Sequence, residues 1–171
     1  GASAPTSTAV SLTSIPAQPG AVSGQAAVCA GDSEAYSISA VSGATDYLWT
    51  VPSGASILSG QGTTSATVLW GNTSGNVSVS ASNGCGGSAT ADYAVTVSTV
   101  PNVPGAISGS ASACENTTEA YSISPVSGAT GYTWTVPADA NILTGQGTDS
   151  ITVQYGVQSG LISVLASNQC G

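Results

Sequence analysis

Residues 35–52, AYSISAVSGATDYLWTVP, recur at 120–137 as AYSISPVSGATGYTWTVP. The offset is 85 residues, and it also carries Cys29 onto Cys114, Trp49 onto Trp134 and Cys85 onto Cys170. Between 19–85 and 104–170 there are 42 identities in 67 aligned positions. Stretches this alike must fold alike, so whatever architecture the chain adopts it adopts twice. A length of 171 residues leaves room for two small domains.

The repeat also separates the faces of each strand. Tyr47, Trp49 and Val51 return as Tyr132, Trp134 and Val136, whereas Leu48 returns as Thr133. A position that tolerates Leu or Thr faces solvent, and the alternate residues face a core. The same period of two places Tyr36 and Ile38 inward, and Tyr121 with them in the second copy. Ala66, Val68 and Trp70 match Ile151, Val153 and Tyr155, while Leu69 becomes Gln154. Residues 19–24 read as a short first strand extended by 26–29. Further strands are expected at 35–39, 46–51, 55–58, 65–70, 76–82 and 91–98. Turn signals lie between them, including Gly31-Asp32, Ser42-Gly43, the Gly60-Gln61-Gly62-Thr63 loop and Asn83-Gly84. The expected core aromatics are Tyr36, Trp49, Tyr121 and Trp134.

Residues 8–16, TAVSLTSIP, align at the same offset with 93–101, YAVTVSTVP, the last strand of the first repeat. Three segments follow. Residues 1–15 are a last strand belonging to a preceding or neighbouring domain, 16–100 are repeat one, and 101–171 are repeat two without a last strand of its own. The linker at 99–105 holds two prolines, which makes it extended and stiff. Two readings remain open. The chain is a window cut from a longer array, the simpler reading, or its first strand completes the second domain of the next subunit by strand addition. The opening GASAPTST has no basic and apolar leader and reads as a mature or cut end.

Composition narrows the functions available. There is no Lys, Arg or His against eight acidic residues, and only 5% of residues are charged. Nucleic-acid binding lacks the cations that neutralise phosphate. No window approaches the ~18 consecutive apolar residues of a membrane span. A Ser or Thr nucleophile would lack a His or Lys base, and lysine-dependent isopeptide staples cannot form. The carboxylates are scattered, and only Glu34 recurs as an acid, at Glu119. No enzyme and no cofactor are expected. Calcium is the one cofactor left open, through Asp32, Ser33 and Glu34 or the acids of 115–119, although neither stretch has a calcium-loop spacing. Trp70 and Tyr155, each ending a strand beside a loop, are the possible ligand contacts, for glycans or proteins. Leu48, Leu69, Leu161 and Leu165 fall at outward positions. Four Cys at repeat-equivalent sites, with no His and no CxxC spacing, point to disulfides and an oxidising, extracellular setting.

Seven or so short alternating strands in 85 residues describe a β-sandwich. The pattern VCAGD…YSIS…VSGAT.Y.WTVP…GQGT…V..G..SGNVSV.ASN.CG resembles the PKD-like and immunoglobulin-like tandem repeats of large secreted bacterial surface proteins. The resemblance covers 19–98 and 104–170. It implies an all-β, immunoglobulin-like sandwich, repeated head to tail as a rod, in cell-surface adhesins, attachment filaments or accessory modules of secreted enzymes. The lack of Lys and Arg departs from most such repeats.

In an immunoglobulin-like strand order, Cys29 and Cys85 occupy turns at opposite poles of the sandwich. A seven-residue strand spans roughly 23 Å, whereas a disulfide needs Cα atoms within about 7 Å. This favours a staggered Cys29–Cys170 bond between domains, with Cys85 and Cys114 paired outside the chain. Cys29–Cys85 and Cys114–Cys170 remain the intradomain alternative. The expected function is a non-enzymatic structural repeat of an extracellular bacterial filament, stalk or adhesin, whose partners are adjacent copies and, at a tip, glycans or surface proteins. The alternative is a carbohydrate- or protein-binding accessory module.

Overall fold

The structure, a computed structural model, describes every residue except Ala2 and Ala4. The chain divides into two compact units, 1–97 and 98–171. Each is an immunoglobulin-like unit, and regular structure among the described residues is β-strand throughout.

Unit 1 contains β1 (Ala27–Cys29), β2 (Ser33–Ser37), β3 (Asp46–Thr50) and β4 (Ser56–Ser59). It continues with β5 (Ser65–Leu69), β6 (Gly75–Asn83), the two-residue β7 (Gly86–Gly87) and β8 (Ala91–Ser98). One sheet runs β1-β8-β6-β3, with β7 beside β6, and the other runs β2-β5-β4. Alternation decides what each strand buries. In β3, Tyr47 and Trp49 point inward while Asp46, Leu48 and Thr50 are exposed. Tyr36, Val68, Val77 and Val79 are fully buried, and Trp49 and Trp70 are 1% exposed. Burial of side chains this size contributes about 1.5–3 kcal/mol each.

Residues 19–26 do not form the continuous first strand that their composition suggests. They make a single antiparallel bridge, Ser23 to Ser37, on the β2 side, and the chain then joins the other sheet as β1. The crossing runs over the Tyr36 ring, so close that a Cβ at Gly24 would collide with it.

Unit 2 contains β9 (Thr118–Ser122), β10 (Gly131–Thr135), β11 (Asn141–Thr144), β12 (Ser150–Gln154) and β13 (Ser163–Ser167). The β11-β12-β9 sheet reproduces β4-β5-β2, and the β10-β13 pair reproduces β3-β6. Registers match as well: Trp134 lies opposite Val164, as Trp49 lies opposite Val79. Trp134 and Tyr121 are buried at the centre of this second core.

β3 ends its sheet, and a bare edge leaves backbone donors and acceptors without a partner strand. The GQGT loop supplies one. Trp49 donates its backbone N–H to Gln61 Oε1 (2.9 Å), and Gln61 Nε2 donates back to the Trp49 carbonyl (3.0 Å). The indole Nε1 then donates to Thr63 O at 2.8 Å. The amide group of one glutamine thus acts as one residue of a neighbouring strand. Unit 2 repeats the arrangement through Gln146, Trp134 and Thr148, at 3.0, 3.1 and 2.8 Å. The loop needs glycine at its first position. Gly60 has φ +87°, and a side chain there would strike the backbone of Ser65.

Gln61→Ala is expected to destabilise unit 1 by about 1–3 kcal/mol, since two hydrogen bonds are lost and the Trp49 edge opens. Gln146→Ala should do the same in unit 2. Denaturant titration followed by tryptophan fluorescence measures both, and an unchanged midpoint would show that the clamp contributes nothing.

Candidate functional site: a strand-wide cleft in the second unit

β8 lies between β1 and β6 in unit 1. Gly75 stands opposite Val95, Val77 opposite Tyr93 and Val79 opposite Ala91. On the other side, Thr96 N–H donates to Ala26 O at 2.9 Å. Val97 N–H donates to Ser74 Oγ, also at 2.9 Å. Val95 closes the core at 3% exposure. The Tyr93 ring stands 6.0 Å from that of Tyr36, and its hydroxyl donates to Gly24 O at 2.7 Å.

Unit 2 keeps the groups that flank this strand. Residues 112–114 correspond to β1, and 160–162 to the first part of β6, but neither is strand here. The reason is physical: in unit 1 both depend on β8 for their ladder bonds. Between them runs a cleft of about 430 Å³, whose walls include Ser110, Ala113, Tyr121, Tyr155, Leu161 and Ile162. Ile162 and Val164 are only half-buried, where their counterparts Val77 and Val79 are fully buried. Leu161 is 88% exposed.

One wall of the cleft is set by Asp139, which stands where unit 1 has Gly54. Its Oδ2 accepts the backbone N–H groups of Val157 (2.6 Å) and Gln158 (2.8 Å), which fixes the loop before Gly160. Its Oδ1 is buried without a hydrogen-bond partner.

The floor is a tyrosine relay. Tyr155 O–H donates to Tyr121 Oη (2.8 Å), and Tyr121 O–H donates to Ser110 O (2.9 Å). The rings meet edge to face at 6.4 Å. Burial raises the Tyr155 phenol above its ordinary pKa, and the bond to Tyr121 acts in the same direction. Unit 1 builds the same relay with a different residue: Trp70 Nε1 donates to Tyr36 Oη (3.1 Å), which donates to Gln25 O (3.0 Å). Trp70 is thereby corrected as a ligand contact. At 1% exposure, with its indole N–H engaged, it belongs to the core. Tyr155 is half-buried and does face the cleft.

The cysteines fall into two states. Cys29 and Cys170 are disulfide-bonded, whereas Cys85 and Cys114 are exposed free thiols. With Cys85 and Cys114 free, neither intradomain pairing is present. The outward leucines Leu48, Leu69 and Leu165 are exposed at 53%, 36% and 63%. Among the described residues, no three acidic or sulfur side chains gather as metal ligands. Of the candidate calcium oxygens, Asp32 Oδ2 accepts the Cys29 N–H at 3.2 Å.

Two repeated asparagines carry a role that their place in a turn hides. Asn83 Nδ2 donates to Ser14 O (2.8 Å) and to Gly43 O (3.0 Å), and its Oδ1 accepts the Cys85 N–H (2.9 Å). Asn168 makes the same three bonds, to Thr99 O (2.8 Å), Gly128 O (3.0 Å) and Cys170 N–H (2.8 Å). Each clamps the segment that leads into its own unit. The signal available in the sequence was recurrence of the asparagine at the same offset.

Backbone amides of 160–162 are expected to exchange with solvent faster than those of 75–77, because only the latter are paired across β8. Hydrogen–deuterium exchange with mass spectrometry reads this, and equal protection would mean the cleft is filled. A raised phenol pKa binds its proton more tightly in the folded state. Its contribution is therefore complete below the unfolded value of about 10 and is lost as pH rises past it. Tyr155→Phe should flatten the alkaline loss of unit 2 stability, measured by thermal melts between neutral and strongly alkaline pH.

Comparison with known proteins places this geometry in a family. Among curated proteins, no sequence matches the chain. Of the solved structures, the chain is similar to the Escherichia coli adhesin FdeC, with 17% identity over 88% of this chain and 59% of that one, at a TM-score of 0.47. It is also similar to a tandem from titin, with 14% identity over 91% of this chain and 61% of that one, at a TM-score of 0.39. The chain thus spans about three fifths of each structure. The family model of the PKD-like domain matches residues 15–95 and, separately, 100–171. With both repeats matched and both built on the same immunoglobulin-like plan, this chain belongs to the PKD-like domain family.

Proposed function

We propose that this chain is a non-enzymatic structural repeat unit of an extracellular bacterial surface protein, a stalk, filament or adhesin shaft. The observation that carries this reading is the asparagine clamp. Ser14 and Thr99, one in each leading segment, are held by Asn83 and Asn168 in the same geometry. A module that ties its incoming segment to the same asparagine, itself held by the same two further bonds, is suited to serial repetition. Membership of the PKD-like family in both halves supports the same reading. So does the chemistry of the bonding network, which runs on amides, hydroxyls and indoles rather than on catalytic or charge-paired groups.

The reading includes a Cys29–Cys170 bond between the two repeats of one chain. The bonded state of those two cysteines and the free thiols of Cys85 and Cys114 support it. The bond would bear tension along the chain, and it fits an oxidising location outside the cell. Adjacent repeats are the partners. The alternative, a glycan- or protein-binding accessory module, rests on Tyr155 at the cleft, since Trp70 is withdrawn into the core.

Antibodies raised against the chain are expected to label the outside of intact cells that make it. Label confined to lysed cells would overturn the surface reading. A glycan array should give no signal that Tyr155→Ala abolishes, and a signal lost on that substitution would establish the accessory-module alternative. Non-reducing peptide mapping needs a protease other than trypsin, because the chain contains no Lys or Arg. It should return a peptide linking Cys29 to Cys170.

A further inference from the structure

We infer that the Cys29–Cys170 bond makes residues 14–29 a mechanical strap: a pull along the chain loads this segment and passes by the bodies of both units, which hang in a covalent loop. The inference rests on the Cys29–Cys170 bond of the reading above and says what that bond does in a stalk or shaft.

Covalent connectivity sets the path of the load. Cys29 and Cys170 are disulfide-bonded. Tension that enters before Cys29 and leaves after Cys170 crosses from one sulfur to the other and never runs through residues 30–169. β2 through β13 all lie within that loop. Stretched out, it holds about 480 Å of chain at roughly 3.4 Å per residue. None of this length can be drawn out while the bond stands.

The load meets instead the segment that leads into unit 1, which is fastened to the loop at points along its length. Asn83 holds Ser14 O (2.8 Å), and Gln18 Nε2 donates to Thr90 O (2.6 Å). Ser23 and Ser37 exchange two backbone bonds, at 2.8 and 2.9 Å. The hydroxyls of Tyr93 and Tyr36 donate to the carbonyls of Gly24 (2.7 Å) and Gln25 (3.0 Å), and Thr96 N–H donates to Ala26 O (2.9 Å). Pro16, Pro19, Val22 and Val28 are buried. β1 is only three residues long, so the fastenings are spread along the segment rather than gathered in a long ladder.

The body left behind keeps its own fastenings. The Trp49, Gln61 and Thr63 bonds and the Trp70–Tyr36 bond lie wholly within 30–169. β8 stays paired with β6. A stripped strap remains tethered to this body at Cys29, so its return is an intramolecular event at high effective concentration. The two asparagine clamps differ in duty for the same reason. Ser14 lies outside the loop and Asn83 inside it, so the first clamp is loaded, whereas Thr99 and Asn168 both lie inside. Fully drawn out, residues 14–29 reach about 55 Å. A shaft built this way yields by a short fixed length and then stops at a covalent limit.

Single-molecule force spectroscopy on residues 1–171, pulled from the two ends, tests this. Cys85→Ser and Cys114→Ser are included so that no free thiol exchanges with the bond, and both positions are exposed. The expected oxidised trace has one short step, below about 55 Å, and no long one. Dithiothreitol then opens the bond: its two thiols become a cyclic disulfide, and Cys29 and Cys170 leave as thiols. The reduced chain should give two long steps, each releasing roughly 250–290 Å of chain. Cys29→Ser should give the same two steps without reductant. Gln18→Ala with Tyr93→Phe removes two fastenings of the strap and should lower the force of the short step, leaving the long step of unit 2 unchanged. A long step in the oxidised chain, or a short step whose force ignores those two substitutions, would overturn the inference. Neither result bears on surface location, which the antibody experiment decides separately.

Discussion

A strand in an immunoglobulin-like sheet is stable only when its backbone groups are paired on the edges it shares, and β8 is where this chain concentrates that requirement. It stands between β1 and β6, so two other strands take their form from it. The comparison of the two units makes the dependence visible. β6 runs nine residues beside β8, while its counterpart β13 runs five, and the segment matching β1 is not strand at all. The β1 counterpart also differs in sequence, with Ser112-Ala113 where β1 has Ala27-Val28, so a weaker local strand preference adds to the unpaired ladder.

The β3 edge of the sheet meets the same requirement in another way. Among the described residues, β3 and β10 have no neighbouring strand beyond them, and Gln61 and Gln146 satisfy the backbone of the core tryptophan from a loop. The β3 edge is thus closed by a side chain, whereas β8, inside the sheet, is paired by a strand on each side. Closure by a side chain is local and ends the sheet.

Much of the fold was legible because the repeat served as its own comparison. Leu48 against Thr133 separated inner from outer faces, and the buried Tyr36, Trp49, Tyr121 and Trp134 follow from it. Trp70 was ambiguous because an aromatic at a strand end beside a loop fits a core or a binding face equally well. Its replacement by Tyr155 held the answer: indole N–H and phenol O–H are both donors to the same tyrosine oxygen, so the position conserves a buried hydrogen bond. Gln61 and Asn83 were hidden for a different reason. Both sit in turns, where polar residues need no explanation, and their bonds join backbone atoms far apart in sequence. Asp139 occurs in one repeat only, so no comparison could separate its role from that of an ordinary surface acid. The crossing of residues 19–26 between sheets also escaped, because a continuous extended segment and one that changes sheets share the same residue pattern.

The asparagine clamp has a consequence in time as well as in space. Asn83 is followed by Gly84, the neighbour that least obstructs attack of a backbone nitrogen on the side-chain amide, whereas Asn168 is followed by Gln169. Deamidation at Asn83 would exchange its donating NH₂ for a carboxylate oxygen facing the carbonyls of Ser14 and Gly43, turning two attractions into repulsions. The second clamp, with the bulkier neighbour, would outlast the first. Two joints built with the same bonds therefore age at different rates, and the older the molecule, the more its leading segment is released while the middle of the chain stays fastened.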